Sequence, residues 1–216
     1  MRFLVTAGPT REPLDPVRYL SNRSSGKMGW AIAVAARDAG HEVVLISGPV
    51  SLTAPDGVRV VAVETAAQMF DAVHDNLEGI DIAVLAAAVA DFTPAHVSES
   101  KIKKQDAPRT IELKPTRDIL AAISRKPRAL LVAGFAAETD ALEKHALEKL
   151  RTKGCDVIFA NDVRGGAVFG SDENAITAFF FDGTKIAFEQ ASKRDLAARL
   201  ISILVQLKKN QKKTLT

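Results

Sequence analysis

Residues 27–47, KMGWAIAVAARDAGHEVVLIS, carry the decision about the fold. From Lys27 to Ala39 the apolar residues recur at helical spacing. Gly40 supplies a left-handed residue just past the helix end, and Glu42–Ser47 follows as an apolar run of strand length. A second such run, Arg2–Thr6, lies upstream, so the chain opens as strand, helix, strand. The alternation continues outward, with strands at Val58–Val63, Ile82–Ala87, Leu130–Ala133 and Val157–Asn161. Helices are expected at Ala66–Leu77, Asp118–Ser124, Ala141–Lys153 and Lys193–Leu207. Apolar strands separated by amphipathic helices specify a mostly parallel, Rossmann-like α/β sheet with helices on both faces. Thr65 with Gln68, and Ser192 with Asp195, have capping-box spacing, and Gly154 follows its helix as Gly40 does. Asp182-Gly183, between Ala175–Phe181 and Lys185–Glu189, is a hairpin signal, so the sheet is expected to finish in antiparallel strands. In the last helix Leu196, Leu200, Ile203, Leu204 and Leu207 form a stripe suited to packing on that sheet.

With 216 residues and no repeat or linker, residues 1–207 read as one domain, followed by a basic tail, 208–216, expected to be disordered. Hydrophobic residues at 47% and charged residues at 25% suit a soluble globular chain. Much of the formal charge of +3 comes from Lys208, Lys209, Lys212 and Lys213. Because aromatics are not interleaved with the basic residues, nucleic-acid binding is not expected. The single cysteine, Cys155, excludes an intramolecular disulfide framework and any multi-cysteine metal site, as suits a cytoplasmic chain. No apolar stretch approaches membrane-spanning length, and the chain starts directly on a strand, so neither secretion nor membrane insertion is expected.

Three long irregular segments interrupt the alternation: Ala7–Gly26, Val89–Thr110 and Asp162–Asn174. Loops of that length in a compact domain usually carry function or are disordered. The first ends in Ser24-Ser25-Gly26-Lys27 before a helix, yet it is no Walker A loop. The position five before Gly26 is Ser21, and Met28 follows the lysine where a magnesium-binding hydroxyl is needed. It is no dinucleotide fingerprint either, since the turn from Gly8 is too long and the second strand ends in Ser47-Gly48-Pro49 without an acidic ribose reader. The free N–H groups at a helix start favour an anion there. Arg11, Arg18 and Arg23 add cations, and Asn22 is a neutral donor able to stabilise charge on a carbonyl oxygen. Each alone reads better as a cap or a solvated charge; together they crowd one loop beyond the carboxyl end of the first strand, where such sheets bind ligands.

In the second segment, small alanines lead to Asp91 and then to Lys101, Lys103 and Lys104. Small side chains admit a planar base or ribose, a carboxylate accepts ribose hydroxyls, and lysines suit a polyphosphate. Lys149 and Lys153 share a helix face, Thr116 or Asp118 sits at a helix start, and Phe135 follows another strand, though a core phenylalanine is the commoner reading.

The segments TAGPTREPLDPVRYLSNRSSGKMG, AAAVADF, KIKK, AGFAAET, KGCDVIFAND and FGSDENAI occur in order across nearly the whole chain. In these the chain resembles the phosphopantothenate-cysteine ligases of coenzyme A biosynthesis, which in bacteria are commonly fused behind a flavin-dependent decarboxylase. The resemblance implies attack of the 4'-phosphopantothenate carboxylate on the α-phosphate of a nucleoside triphosphate, CTP in most bacterial members, with Mg2+ accompanying the triphosphate. The amine of L-cysteine then displaces the nucleotide. It further implies Asn22 and Lys101 as catalytic residues, with Asn22 serving the acyl-nucleotide step and Lys101 the first step. Arg18, Asn22 and Ala88 would contact the substrate, and Ala87, Asp91, Lys101, Arg117, Asp118, Ile119, Leu120, Phe135, Lys149 and Lys153 the nucleotide. No residue is expected to ligate a metal on its own account. Many relatives have Asn-Pro-Asp where this chain has Thr116-Arg117-Asp118. A homodimer is also implied. Two other classes remain open: a nicotinamide-dependent reductase, disfavoured because Tyr19 is followed four residues on by Arg23 rather than lysine, and a non-catalytic nucleotide sensor.

Overall fold

Strand order and parallel pairing place the site before any side chain is considered. The computed structural model describes residues 1–104, 110–124, 129–138, 140–162 and 170–214. Its eight-stranded sheet is built from β1 (Arg2–Ala7), β4 (Glu42–Ser47), β5 (Arg59–Ala62), β6 (Ile82–Leu85), β9 (Leu131–Glu138), β10 (Val157–Asp162), β11 (Glu173–Phe180) and β12 (Lys185–Ser192). From one edge the order is β5-β4-β1-β6-β9-β10-β11-β12. The first six are mutually parallel and the last two antiparallel. That is the doubly wound Rossmann order with an antiparallel hairpin added, as the alternation and the Asp182-Gly183 signal led us to expect. The hairpin turn is held by Phe180 N–H on Thr184 O at 2.9 Å, with Gly183 at φ 90°.

Helices α1 (Lys27–Asp38) and α5 (Lys193–Thr214) cover one face, and α2 (Ala66–Asp75), α3 (Ile119–Ile123) and α4 (Leu142–Lys153) cover the other. Alternate residues of β1 serve the two cores: Phe3 and Val5 pack with Trp30 and Ile32 of α1, whereas Leu4 packs with Met69 and Val73 of α2. Both faces being buried is why the strands read as continuous apolar runs. The α2 capping box is complete, with Gln68 N–H on Thr65 Oγ1 and Gln68 Oε1 accepting from Thr65 N–H.

Beyond shifts of a few residues at other ends, the structure departs from expectation in four places. β6 stops at Leu85 rather than Ala87, so Ala86, Ala87 and Ala88 follow the strand as half-buried small residues, with Ala88 bridged to Pro9. β9 runs on to Glu138, because β10 pairs with it as far as Asp162, and Phe135 therefore stands within a strand rather than beyond one. Two of the long segments contain small antiparallel arms, β2 (Arg11–Pro13) with β3 (Tyr19–Ser21), and β7 (Phe92–Pro94) with β8 (Leu113–Pro115). Lastly, α5 passes Leu207 and reaches Thr214, which corrects the expected disorder of the tail over 208–214. Lys208 is 3% exposed and its Nζ donates to Ala129 O, so a lysine counted as solvated lays its stem along the core and pins the helix end. Residues 215–216, and parts of the second and third long segments (105–109 and 163–169), lie outside the described residues. Among the described residues no helix is long and apolar enough to cross a membrane.

Candidate active site

From β1 the chain runs one way through β4 to β5, then crosses back to β6, so a crevice opens beyond the carboxyl ends of β1 and β6. The β1–α1 connection borders it at very close quarters. Gly26 has φ 73°, and a Cβ there would stand 2.7 Å from Val50 Cγ1; a Cβ on Gly29 would stand 2.6 Å from Ala7 Cβ. Only glycine lets α1 begin this close to β1. No side chain caps α1, though Ser24 Oγ accepts from Gly26 N–H at 3.3 Å. The helix start thus faces the crevice with unpaired donors.

Two adjoining cavities fill the crevice. The first, about 290 Å³, lies between the ends of β6 and β9, the start of α3 and one face of α4. Ala87, Asp91, Arg117, Asp118, Ile119 and Leu120 form one side of its wall. Phe135, Lys149 and Lys153 form the other. Asp118 caps α3 through Ala121 N–H at 2.8 Å and pairs with Lys153 Nζ at 2.5 Å. Burial raises the Asp118 pKa, but the cap bond and the Lys153 and Lys149 cations outweigh it and hold it below the usual carboxylate range. Lys149 Nζ donates to Phe135 O at 2.9 Å, and Phe135 is tilted against Phe159. Arg117 behaves differently from its neighbours: its Nη2 donates to Asp71 Oδ1 at 2.7 Å and its guanidinium lies 3.9 Å from the Phe70 ring centroid, so its charge is tied to α2.

The second cavity, about 390 Å³, shares Ala87, Asp91, Phe135 and Lys149 with the first and extends to Asn22, Ala88 and the start of α1. Asn22 Nδ2 donates to Ala88 O at 3.0 Å and Val89 O at 3.2 Å, which fixes the amide and leaves Oδ1 as its other polar atom. On the far side stand residues that sequence reasoning did not single out: Lys27, Asn161, Asn174 and Lys193. Lys27 Nζ bonds Gly170 O at 2.8 Å and Asp172 Oδ1 at 2.7 Å, and Lys193 Nζ bonds Ser171 O at 2.5 Å. Lys27 holds the Asp172 pKa down, while burial and the nearby Lys27 charge lower that of Lys193. Lys27 was visible only as part of a failed P-loop match, and Lys193 as a helix end; the 145 residues between Lys27 and Asp172 hide the cluster from any local pattern.

Arg18 and Lys101 line neither cavity. They sit together outside them, where Arg18 Nη2 donates to Asp15 Oδ2 at 2.6 Å and to Ile102 O at 2.5 Å. Among the described residues no group of three or more His, Cys, Asp or Glu side chains is placed to hold a metal.

Comparison with known proteins gives the family of the chain. The model for the C-terminal domain of the DNA/pantothenate metabolism flavoprotein matches residues 1–207. The chain belongs to this family. The coenzyme A biosynthesis bifunctional protein CoaBC of Bacillus subtilis (strain 168) is 47% identical over 208 residues, covering 95% of this chain and 51% of that protein. The Escherichia coli (strain K12) protein of the same name is 47% identical over 191 residues, 86% of this chain and 47% of the relative. The chain therefore spans about half the length of the curated relatives it matches. Among solved structures, the C-terminal domain of a CoaBC protein superposes with a TM-score of 0.81 at 39% identity, covering 96% of each chain. In this chain a long connection carrying its own β2–β3 arm stands where a Rossmann sheet has its phosphate turn, and it brings Asn22 to the wall of the crevice.

Proposed function

We propose that this domain ligates 4'-phosphopantothenate to L-cysteine through an acyl-nucleotide, releasing pyrophosphate and then the nucleoside monophosphate, with CTP as the triphosphate. The observation that carries the reading is the continuity of the two cavities across Ala87, Asp91, Phe135 and Lys149. A nucleoside in the first cavity directs its α-phosphate toward the second, beside Asn22. The relatives' involvement in coenzyme A biosynthesis and the sequence resemblance support the same substrates.

In the first step a carboxylate oxygen forms a bond to the α-phosphorus while the bond to the pyrophosphate oxygen breaks. Two anions must approach, so fixed cations are the main requirement. Lys27 and Lys193 beside the start of α1 suit the departing pyrophosphate, and Lys149 suits the α-phosphate. Magnesium bound to the triphosphate would neutralise charge on the phosphate oxygens, which are hard ligands, and Asp91, the carboxylate common to both cavity walls, would be the residue placed to help hold it. In the second step the cysteine amine attacks the acyl carbon, the nucleotide departs, and the amine proton is lost. Asn22 can turn one N–H from the Ala88 or Val89 carbonyl to the developing oxyanion, exchanging one hydrogen bond for a charge-assisted one.

The same reading includes a homodimer. Among the described residues, six of the eight exposed large apolar ones, Val17, Tyr19, Phe92, Val97, Ile111 and Leu113, belong to the two small arms or their connections. These arms also carry Arg18 and Lys101, which a second copy would receive at its own crevice. A nicotinamide reductase is poorly supported: at the end of β4, where a ribose reader belongs, Ser47 is buried and spent on Trp30 Nε1 at 3.2 Å. The test is radiolabelled turnover with purified protein, magnesium and both acids. Pyrophosphate release that requires phosphopantothenate but not cysteine is expected, faster with CTP than ATP; no amide from any of the four triphosphates would remove the proposal.

A further inference from the structure

Asp15 is an acidic residue inside the loop that carries Arg11, Arg18 and Arg23, and nothing in the proposed chemistry uses it. Its side chain is 0% exposed. Oδ1 accepts from Val17 N–H at 2.8 Å and Arg18 N–H at 2.9 Å. Oδ2 accepts from Arg18 Nε at 3.0 Å, Arg18 Nη2 at 2.6 Å and Ile102 N–H at 3.0 Å. Burial pushes the Asp15 carboxyl pKa up, but these donors outweigh it and hold it well below the carboxylate range. The last of the five donors comes from 87 residues away, in the lysine-bearing segment. Ile102 is gripped twice, since its carbonyl accepts from Arg18 Nη2 at 2.5 Å. Four residues earlier, Ser98 N–H donates to Leu14 O at 3.0 Å. The stretch from Ser98 to Ile102 is thus fastened at both ends to the 14–18 turn, with Lys101 held between the two fastenings.

We propose that Asp15 is a positioning residue for Lys101, a buried carboxylate that pegs the lysine segment to the β2–β3 arm. The role in catalysis rests on the ligase reading above, whereas the peg itself does not. A neutral residue cannot replace Asp15, because asparagine presents an NH2 group to donors on at least one side. Arg18 keeps its side chain 48% exposed, and among the described residues only its Nε and Nη2 are engaged. It can therefore meet a substrate anion through Nη1 without surrendering the peg.

The test uses Asp15→Asn with two readouts. Amide hydrogen exchange at Ile102, followed by NMR without any substrate, is expected to quicken about tenfold, the loss of one charge-assisted hydrogen bond. Phosphopantothenate-dependent pyrophosphate release is expected to slow about tenfold, while amide formation from supplied acyl-nucleotide changes by less than about twofold. In a Lys101→Gln background the Asp15 change should add less than about twofold, as for a residue acting through that lysine. Unchanged Ile102 exchange, or full additivity with Lys101→Gln, overturns the proposal. If Asp15→Asn does not fold, Ile102→Pro removes the N–H that Asp15 receives while leaving Asp15 and Arg18 in place, and normal pyrophosphate release in that variant overturns it equally. Wild-type protein inactive with every triphosphate would remove the ligase reading, and the Ile102 exchange rate would still decide the peg.

Discussion

Asn22 shows how far one residue can be read from sequence. Its neighbours mark it as a candidate for a ligand loop, but the orientation of its amide depends on the Ala88 and Val89 carbonyls, 66 and 67 residues away. Asn22→Asp removes both donors and sets a carboxylate against two carbonyl oxygens, so it has nothing to offer an oxyanion. We expect pyrophosphate release to persist and amide formation to fall by at least about 100-fold; equal loss in both steps would sink the assignment. Arg117 teaches the opposite lesson. It fills a position expected to touch nucleotide, yet its guanidinium is spent on Asp71 and the Phe70 ring. Arg117→Ala should lower Tm by about 2–4 °C, the size of a partly exposed ion pair with a cation–π contact, and leave the KM for CTP within about twofold. A tenfold rise in that KM, measured by initial rates, would return Arg117 to the nucleotide site.

Among the elements, those with long apolar periods were legible and those held by distant partners were not. α1, β4 and the β11–β12 hairpin follow from their own residues, whereas the three-residue strands β2, β3, β7 and β8 have no period to read and exist because each finds its partner. The α5 extension belongs to the second class, since Lys208 is placed by the Ala129 carbonyl. Helix α3, only five residues long, depends on its cap, and the cap dictates a pH response. The folded pKa of Asp118 is lowered, so its stabilisation is fully present above the ordinary carboxylate value of about 3.9 and is lost as pH falls through the folded value. Asp118→Asn keeps a capping oxygen but removes the charge facing Lys153. Its Tm should therefore lie below wild type at pH 7, and the gap should shrink below about pH 4. A gap that stays constant from pH 7 to pH 3 in calorimetry would mean the Lys153 pair contributes nothing.

At the scale of the whole molecule the two small arms are the unfinished part. The doubly wound sheet buries its apolar residues on both faces, yet the arms leave Phe92 at 54% and Leu113 at 45% exposure, close together on paired strands β7 and β8. Apolar side chains gathered on an arm that also carries displaced cations favour a second copy over solvent. Because the sheet core does not depend on these side chains, Phe92→Asp with Leu113→Asp should leave the thermal transition of the domain largely in place. With the proposed homodimer, light scattering at micromolar concentration should then move from dimer to monomer mass. Pyrophosphate release should fall at least about tenfold, since Arg18 and Lys101 lie outside both cavities of their own chain. Monomeric protein with undiminished turnover would show that each crevice draws Arg18 and Lys101 from its own chain by moving the arm, and the dimer would then have no part in the chemistry.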